Sequence, residues 1–211
     1  MRYFGFVDPS GGSSDSMTLA ISYLSRFSHK AILAGFWEAK APFNPDIVTE
    51  EFAGILREYH LASVVGDRYS AEWVRQRFSA YGINYVTSEK TKSEIFLEFL
   101  AAVNSGRVKI PSAKRLKAQL VGLERRTSRS GKDSVDHAPS SSSHDDLANA
   151  VAGALCLAAA PQKKKAPWVP MLFGMGPKGQ LSDNNPRDPN GTKNLNDPFY
   201  DSGHDNWTKL N

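Results

Sequence analysis

An N-terminal stretch, residues 2–12, decides the fold, and it reads RYFGFVDPSGG. Aromatic and small residues alternate from Arg2 to Val7, a pattern typical of a β-strand. The Asp-Pro-Ser-Gly-Gly sequence that follows interrupts regular structure and predicts a turn. We therefore expect Asp8 to lie at the carboxyl end of the first strand.

Two further strand-like runs follow this turn, Met17 to Leu24 and Ala31 to Trp37. The connections between the three runs are short, and short connections join antiparallel neighbours. The first half of the sheet is therefore predicted to be an antiparallel meander of three strands.

After Pro45 the apolar residues recur every three or four positions, which predicts helices separated by short strands. A chain that passes from strand to helix to strand implies parallel pairing with a right-handed crossover. The second half of the sheet is therefore predicted to be parallel, and Asp67 directly follows its first strand. We expect helices at Pro45 to His60, Ala71 to Tyr81 and Lys92 to Asn104, and strands at Leu61 to Val65 and Ile83 to Val86.

The last part of the predicted domain contains a β-hairpin and a helix. The hairpin is predicted from Val121 to Thr127 and from Asp133 to His137, around a Ser-Arg-Ser-Gly turn. Ser140 to Ser143 offer N-caps for an apolar helix that continues to Ala158, and Asp145 and Asp146 fall in its first turn.

Beyond Pro161 the chain is rich in Pro, Gly, Asn and Asp and poor in apolar residues. We therefore expect one α/β domain at residues 1–160 and a mostly irregular C-terminal tail at residues 161–211. The single cysteine, Cys156, excludes an internal disulfide and a cysteine-based zinc site. No apolar run approaches the length of a membrane span and the N-terminus lacks a signal peptide, so a soluble, cytoplasmic protein is expected.

Positive charge concentrates in residues 107–132, where nine basic residues face one acid, Glu124. This segment carries +8 and the rest of the chain −4. It is either a solvated basic face or a strip that contacts phosphates, because clustered cations release counterions from nucleic acid. The basic residues are Arg107, Lys109, Lys114, Arg115, Lys117, Arg125, Arg126, Arg129 and Lys132.

The predicted topology places carboxylates where they can hold metal ions. If the strands that precede Asp8 and Asp67 are central neighbours, both side chains emerge at one sheet edge, and the final helix can bring Asp145 or Asp146 there. Crowded carboxylates repel one another unless cations neutralise them, and hard oxygen ligands suit Mg²⁺ or Mn²⁺. Two such ions support phosphodiester hydrolysis, with Asp8 as the predicted bridging ligand. Each motif alone is more often a turn or a helix cap.

Three segments together resemble the nuclease domain of the large terminase subunit of tailed bacteriophages. They are Asp8 to Ser16, Val65 to Tyr69 and His144 to Ala150, and the likeness covers about residues 3 to 158. The resemblance implies a ribonuclease H-like fold and two-metal cleavage of concatemeric viral DNA during packaging, with little sequence preference. It also implies catalytic roles for Asp8, Asp67 and one or both of Asp145 and Asp146.

The same resemblance suggests Asp15 and His144 as supporting residues around the acids, although Asp15 is as well explained by its turn and His144 by a cap. The resemblance also implies that the protein acts in the host cytoplasm. The implied partners are double-stranded DNA, the portal protein, the small terminase subunit and a terminase ATPase domain. The chain lacks the G-x-x-x-x-G-K-[ST] segment of an ATPase, so no ATP hydrolysis is expected. Because Met1 precedes the first strand, we expect an excised domain or a separately encoded nuclease.

Two other functions fit the same features. A Holliday junction resolvase or a transposase would share the fold and the acids but prefer other DNA structures or sequences. A packaging module without catalysis would bind DNA or the portal through the basic strip and the tail.

Overall fold

A mixed β-sheet forms the centre of the domain in the computed structural model, which describes residues 1–67, 72–127, 131, 133–137 and 144–160. Six strands build this sheet, and two more form a separate hairpin. The strands are β1 (Tyr3–Asp8), β2 (Met17–Leu24), β3 (Ala31–Ala39), β4 (Ser63–Gly66), β5 (Asn84–Thr87), β6 (Val108–Lys109), β7 (Leu123–Thr127) and β8 (Asp133–His137). The helices are α1 (Pro45–Glu58), α2 (Glu72–Ala80), α3 (Lys92–Asn104), α4 (Lys114–Val121) and α5 (Asp146–Ala159).

The strand order is β5-β4-β1-β2-β3-β6, which puts β1 in the interior of the sheet. β2 pairs antiparallel with both β1 and β3, so the predicted meander is confirmed. β4 pairs parallel with β1, and β5 pairs parallel with β4, so the predicted parallel half is confirmed as well. These pairings place the carboxyl ends of β1 and β4 side by side.

Two elements between α3 and the hairpin were missing from the expected order. The short strand β6 pairs parallel with the beginning of β3. Helix α4 then ends at Val121, which is 77% exposed, and β7 begins two residues later at Leu123. The predicted start of the hairpin strand at Val121 was therefore wrong. No element was expected at residues 114–120, where Leu116 and Gln119, three positions apart, are buried on one face of α4.

The sheet separates two apolar clusters because neighbouring strand residues point to opposite faces. Phe6 packs on one face with α3, α4 and α5, whereas Val7 packs on the other with α1 and α2. α5 lies unusually close to the sheet, since a Cβ on Gly153 would stand only 2.5 Å from the ring of Phe6. This close approach fixes the middle of α5 against the sheet.

Helix α5 begins differently from the expectation. Ser140 to Ser143 lie outside the described residues, and the N-cap position belongs to Asp145, whose side chain makes no capping hydrogen bond. Among the described residues, no helix combines the length and the apolar character that crossing a membrane requires. The predicted tail, residues 161–211, also lies outside the described part of the chain, and the domain boundary stays a prediction.

Candidate active site

Asp8 and Asp67 lie next to each other where β1 and β4 end. The parallel register pairs Val7 with Gly66, and the two aspartates are the residues that follow on each strand. The Tyr85 hydroxyl donates a hydrogen bond to the main-chain oxygen of Asp67 at 3.1 Å. A Cβ at position 66 would collide with the Tyr85 ring, so the glycine before Asp67 lets β5 pack closely against this turn.

Asp146 reaches the same edge from the first turn of α5. Its Oδ2 accepts a hydrogen bond from the Ser16 main-chain N–H at 3.1 Å, and its main-chain oxygen accepts one from Thr18 Oγ1 at 2.8 Å. Thr18 is the residue that pairs with Asp8 between β1 and β2. The start of α5 is therefore bound directly beside the end of β1.

Asn149 is a site residue that the sequence prediction missed. Its side chain is almost completely buried, and its Nδ2 donates a hydrogen bond to Asp8 Oδ2 at 2.9 Å. Three positions separate it from Asp146, which puts both side chains on one face of α5. This spacing was visible in the sequence. Among the described residues, Asn149 Oδ1 is buried and accepts no hydrogen bond. An unsatisfied polar acceptor therefore lies next to Asp8.

Burial raises the pKa of Asp8 to about 7. The hydrogen bond from Asn149 opposes this shift, whereas the negative charges of Asp146 and Asp67 add to it. The charge of Lys92 lowers the pKa of Asp8 slightly. Because Asp67 and Asp146 both act on Asp8, the three carboxylates share one electrostatic environment that favours a bound cation.

Asp145 and Asp146 are adjacent in sequence but have different partners. The Asp145 side chain is only 4% exposed, and Lys92 Nζ lies 2.8 Å from its Oδ1 and 2.7 Å from its Oδ2. Lys92, at the start of α3, was not among the predicted site residues. Burial raises the pKa of Asp146, and the Ser16 hydrogen bond opposes that shift. The structure thus brings Asp8, Asp67 and Asp146 together and neutralises Asp145 with a lysine.

A second group of ligand atoms surrounds Asp145. One ligand atom each from Asp136, His137 and Asp145 lies within 4.8 Å of the others. Lys92 Nζ already occupies this region, at 3.5 Å from Asp136 Oδ1. This group is therefore balanced by an internal cation, whereas Asp8, Asp67 and Asp146 lie together at the sheet edge.

The two predicted supporting residues lie at the rim of the site. His144 Nδ1 is 3.3 Å from Asp15 Oδ1, and both side chains are more than half exposed. Their charges act on Asp146 in opposite directions, since Asp15 raises its pKa and His144 lowers it. The helix cap considered for His144 is occupied by Asp145 instead.

The predicted basic strip spreads over β6, α4 and β7. Seven of its nine residues are described and exposed, and Arg129 and Lys132 lie outside the described residues. Three of the seven have acidic partners: Arg115 pairs with Glu38, Arg125 with Asp133 and Arg126 with Glu124. Arg107 and Lys109 lie beside the beginning of β3, at the end of the sheet away from Asp8. The others in the described set are Lys114 and Lys117.

Comparisons with known proteins agree with this geometry. Residues 61–158 match the family model described as the terminase RNaseH-like domain. The large terminase nuclease from thermophilic phage G20c is similar in structure, with a TM-score of 0.60, 19% sequence identity, and coverage of 72% of this chain and 80% of that chain. The predicted resemblance to terminase nuclease domains and the ribonuclease H-like fold are thereby confirmed.

Two further solved structures are similar. One is the nuclease domain of the large terminase subunit of bacterial virus Sf6, with a TM-score of 0.55, 12% sequence identity, and coverage of 77% of this chain and 90% of that chain. The other is the large terminase of bacteriophage HK97, with a TM-score of 0.59, 14% sequence identity, and coverage of 74% of this chain and 39% of that chain. The G20c nuclease has been crystallised with magnesium and with cobalt, and a variant of the Sf6 domain with manganese. A search of curated protein sequences found no match.

Proposed function

We propose that this chain, whose residues 61–158 match the terminase RNaseH-like domain family, is a metal-dependent endodeoxyribonuclease that cuts concatemeric phage DNA during genome packaging. The observation that carries the proposal is the convergence of Asp8, Asp67 and Asp146 at one sheet edge, with the pKa of Asp8 raised to about 7. An acid cluster of this kind is stable when cations neutralise it, and hard oxygen ligands select Mg²⁺ or Mn²⁺.

The residues fit a site for two divalent ions. Asp8 lies between the other two acids and would contribute to both ions, with Asp67 and Asp146 on either side. Bound divalent ions would neutralise the phosphodiester and lower the pKa of a water molecule. Asn149 holds Asp8 in place by its hydrogen bond to Oδ2. Ser16 orients Asp146 in the same way, through its main-chain N–H.

Asp145 has a supporting role in this proposal. Its two oxygens both face the Lys92 ammonium, so it anchors the start of α3 to the start of α5. A lysine in the first turn of a helix opposes the helix dipole, and the nearby carboxylates offset that cost. Asp145 therefore positions Asp146, and Asp146 is the member of the pair that we assign to metal binding.

The broader proposal follows the family. The substrate is double-stranded DNA with little sequence preference, and the site of action is the host cytoplasm. The portal protein, the small terminase subunit and a terminase ATPase domain are the proposed partners, with no ATP hydrolysis by this chain. Residues 1–160 are the proposed nuclease domain and residues 161–211 a tail. Limited proteolysis of the full chain tests that boundary, since cleavage should begin after residue 160.

Nicking and linearisation of supercoiled plasmid test the nuclease. The wild type should cut with Mn²⁺ or Mg²⁺ and not with EDTA, and Asp8→Asn should remove cleavage while plasmid binding persists. Asp46→Asn is the matched control, because Asp46 lies on α1 in an exposed pair with Arg77. A wild type that binds plasmid but never cuts it with any divalent metal would favour a binding module. Preferential cutting of four-way junctions over linear duplex would instead favour a resolvase.

A further inference from the structure

A second charged surface lies at the end of the sheet opposite the acids. It consists of the β2–β3 turn and the start of β6, and we call it the basic pole: Arg26, Phe27, Lys30, Arg107 and Lys109. The main-chain N–H of Ala31 donates to the Arg107 oxygen at 2.8 Å, and Lys109 pairs with Ile32 in the sheet. Two segments far apart in sequence therefore form one surface.

The β2–β3 turn is held in a single shape by hydrogen bonds to Ser25. The Ser25 main-chain N–H donates to the Lys30 oxygen at 2.9 Å, and its oxygen accepts from the His29 N–H at 3.0 Å. Ser25 Oγ accepts a further hydrogen bond from the Ser28 N–H at 3.2 Å. The turn thus holds the Phe27 side chain outward, where it is 97% exposed. An aromatic ring held this way in solvent gains contact area when a partner covers it.

The cations of the basic pole are exposed and lie apart from acids in the described part of the chain. None of its four cations has an ion-pair partner among the described residues, and residues 24–31 and 105–110 contain no acid. By contrast, Arg125 and Arg126 of the hairpin are paired with acids of the same hairpin. An unpaired cation loses no internal partner when it contacts phosphate, so it contributes more to binding.

Cations lie near both ends of β3. Lys109 pairs with the beginning of this strand, and Arg115 of α4 pairs with Glu38 near its end. Glu38 is opposite Thr18, which is opposite Asp8. Lys114 and Lys117 on α4 are exposed and have no ion-pair partner in the described part of the chain. The pole lies about six strand residues from Asp8, or roughly 20 Å at about 3.4 Å per residue.

We propose that the basic pole binds the backbone of the duplex that is cut at Asp8, about six base pairs from the cut at roughly 3.4 Å per base pair. Arg26, Lys30, Arg107 and Lys109 contact phosphates, and Phe27 packs against a sugar in the groove. This inference rests on the proposed nuclease function and adds to it a second, separate DNA contact. It explains how a nuclease with little sequence preference would keep the duplex aligned with its acids.

The test is the salt dependence of binding to a 30-base-pair duplex, measured by fluorescence anisotropy with Ca²⁺ across a range of salt. The double variant Arg26→Ala/Lys30→Ala removes two phosphate contacts, so the slope of log affinity against log salt should fall by about 2 and the affinity by about tenfold. The control is Arg75→Ala/Arg77→Ala, which removes the same charge from exposed positions on α2. Both of these arginines pair with acids, so the slope should change less than in the pole variant.

Phe27→Ala separates the aromatic contact from the charges. It should weaken the same duplex about threefold to tenfold without changing the salt slope, because stacking and packing release no counterions. In plasmid cleavage, all pole variants should need more DNA for the half-maximal rate, while the rate at saturating DNA stays the same. Circular dichroism and melting curves should match the wild type, since the substituted side chains are exposed.

An affinity and slope that stay unchanged in the pole variants, with a wild type that binds and cuts DNA, would overturn this inference alone. A wild type that binds duplex through the pole but does not cut it with any metal would overturn the proposed nuclease and leave the pole as a DNA contact.

Discussion

The two ends of the central sheet carry opposite charges in opposite environments. At one end the charges of Asp67 and Asp146 act on Asp8, and burial raises the pKa of Asp8 to about 7. At the other end Arg26, Lys30, Arg107 and Lys109 are exposed. Water and salt screen like charges on a surface, whereas burial removes that screening.

The two ends differ in the free energy that repulsion between their like charges costs. The basic pole can keep four like charges at little cost, and it gains binding when phosphates replace counterions. The acidic end keeps its charges only because Asn149, Ser16 and close packing of α5 hold them in position. We therefore expect metal ions, pH and helix packing to act mainly on the acidic end.

The largest expected effect separates the two adjacent acids. Asp146→Asn should lower the single-turnover rate of plasmid cleavage with Mn²⁺ about a thousandfold, because it removes a proposed metal ligand. Asp145→Asn should lower it only about tenfold to a hundredfold, as expected for a residue that orients a ligand. The assignment would be reversed if Asp145→Asn were the more damaging change.

The next prediction concerns the packing of α5 against the sheet. It compares alanine substitutions at two helical glycines, one in α5 and one in α1. Gly153→Ala should cost about 1–3 kcal/mol of unfolding free energy, because its Cβ would press on the Phe6 ring. Gly54→Ala in α1 should stabilise the protein by about 0.5–1 kcal/mol, since its Cβ meets only the end of Arg57. Urea denaturation measures both. Equal changes would mean that α5 is not held tightly against the sheet.

Lys92 tests the internal cation at the acidic end. Lys92→Met should lower the stability of the metal-free protein by about 1–3 kcal/mol, because Asp145 is left buried without its partner. Lys92→Arg keeps the positive charge and should lose less. Thermal melts in EDTA compare the two variants. A Met variant as stable as the wild type would remove Lys92 from the site.

A pH dependence of stability should come from Asp8. Its pKa is about 7 in the folded protein and 3.8 without burial, so the folded state holds more protons between these values. Stability of the metal-free protein should therefore fall as pH rises from about 4 to about 7, and then level off. Mn²⁺ affinity should rise over the same window, because the ion displaces that proton.

Asp8→Asn provides the comparison for this pH dependence. The variant has no titrating group at position 8, so its urea stability in EDTA should fall less than that of the wild type between pH 5 and pH 8. If both proteins lost the same stability, the pH dependence would have to come from another group.

Much of the site could be predicted because it depends on local patterns. Asp8 and Asp67 each follow a short apolar strand, and strand order then brings their ends together. Lys92 and Tyr85 could not be predicted, since their roles depend on how α3 and β5 pack beside other elements. Helix α4 was missed because it follows a short strand and a proline-containing connection, and it has little apolar surface.

The sequence alone determined the alternation of strands and helices, the antiparallel and parallel halves of the sheet and the three acidic motifs, because these follow from residue periodicity and turn chemistry. Only the tertiary structure decided that Asp146 faces Asp8 while Asp145 faces Lys92. Only the tertiary structure placed the segment of Arg26 and Lys30 beside the segment of Arg107 and Lys109. The physical reason is that charge pairing and burial depend on distances through space, which sequence spacing does not fix.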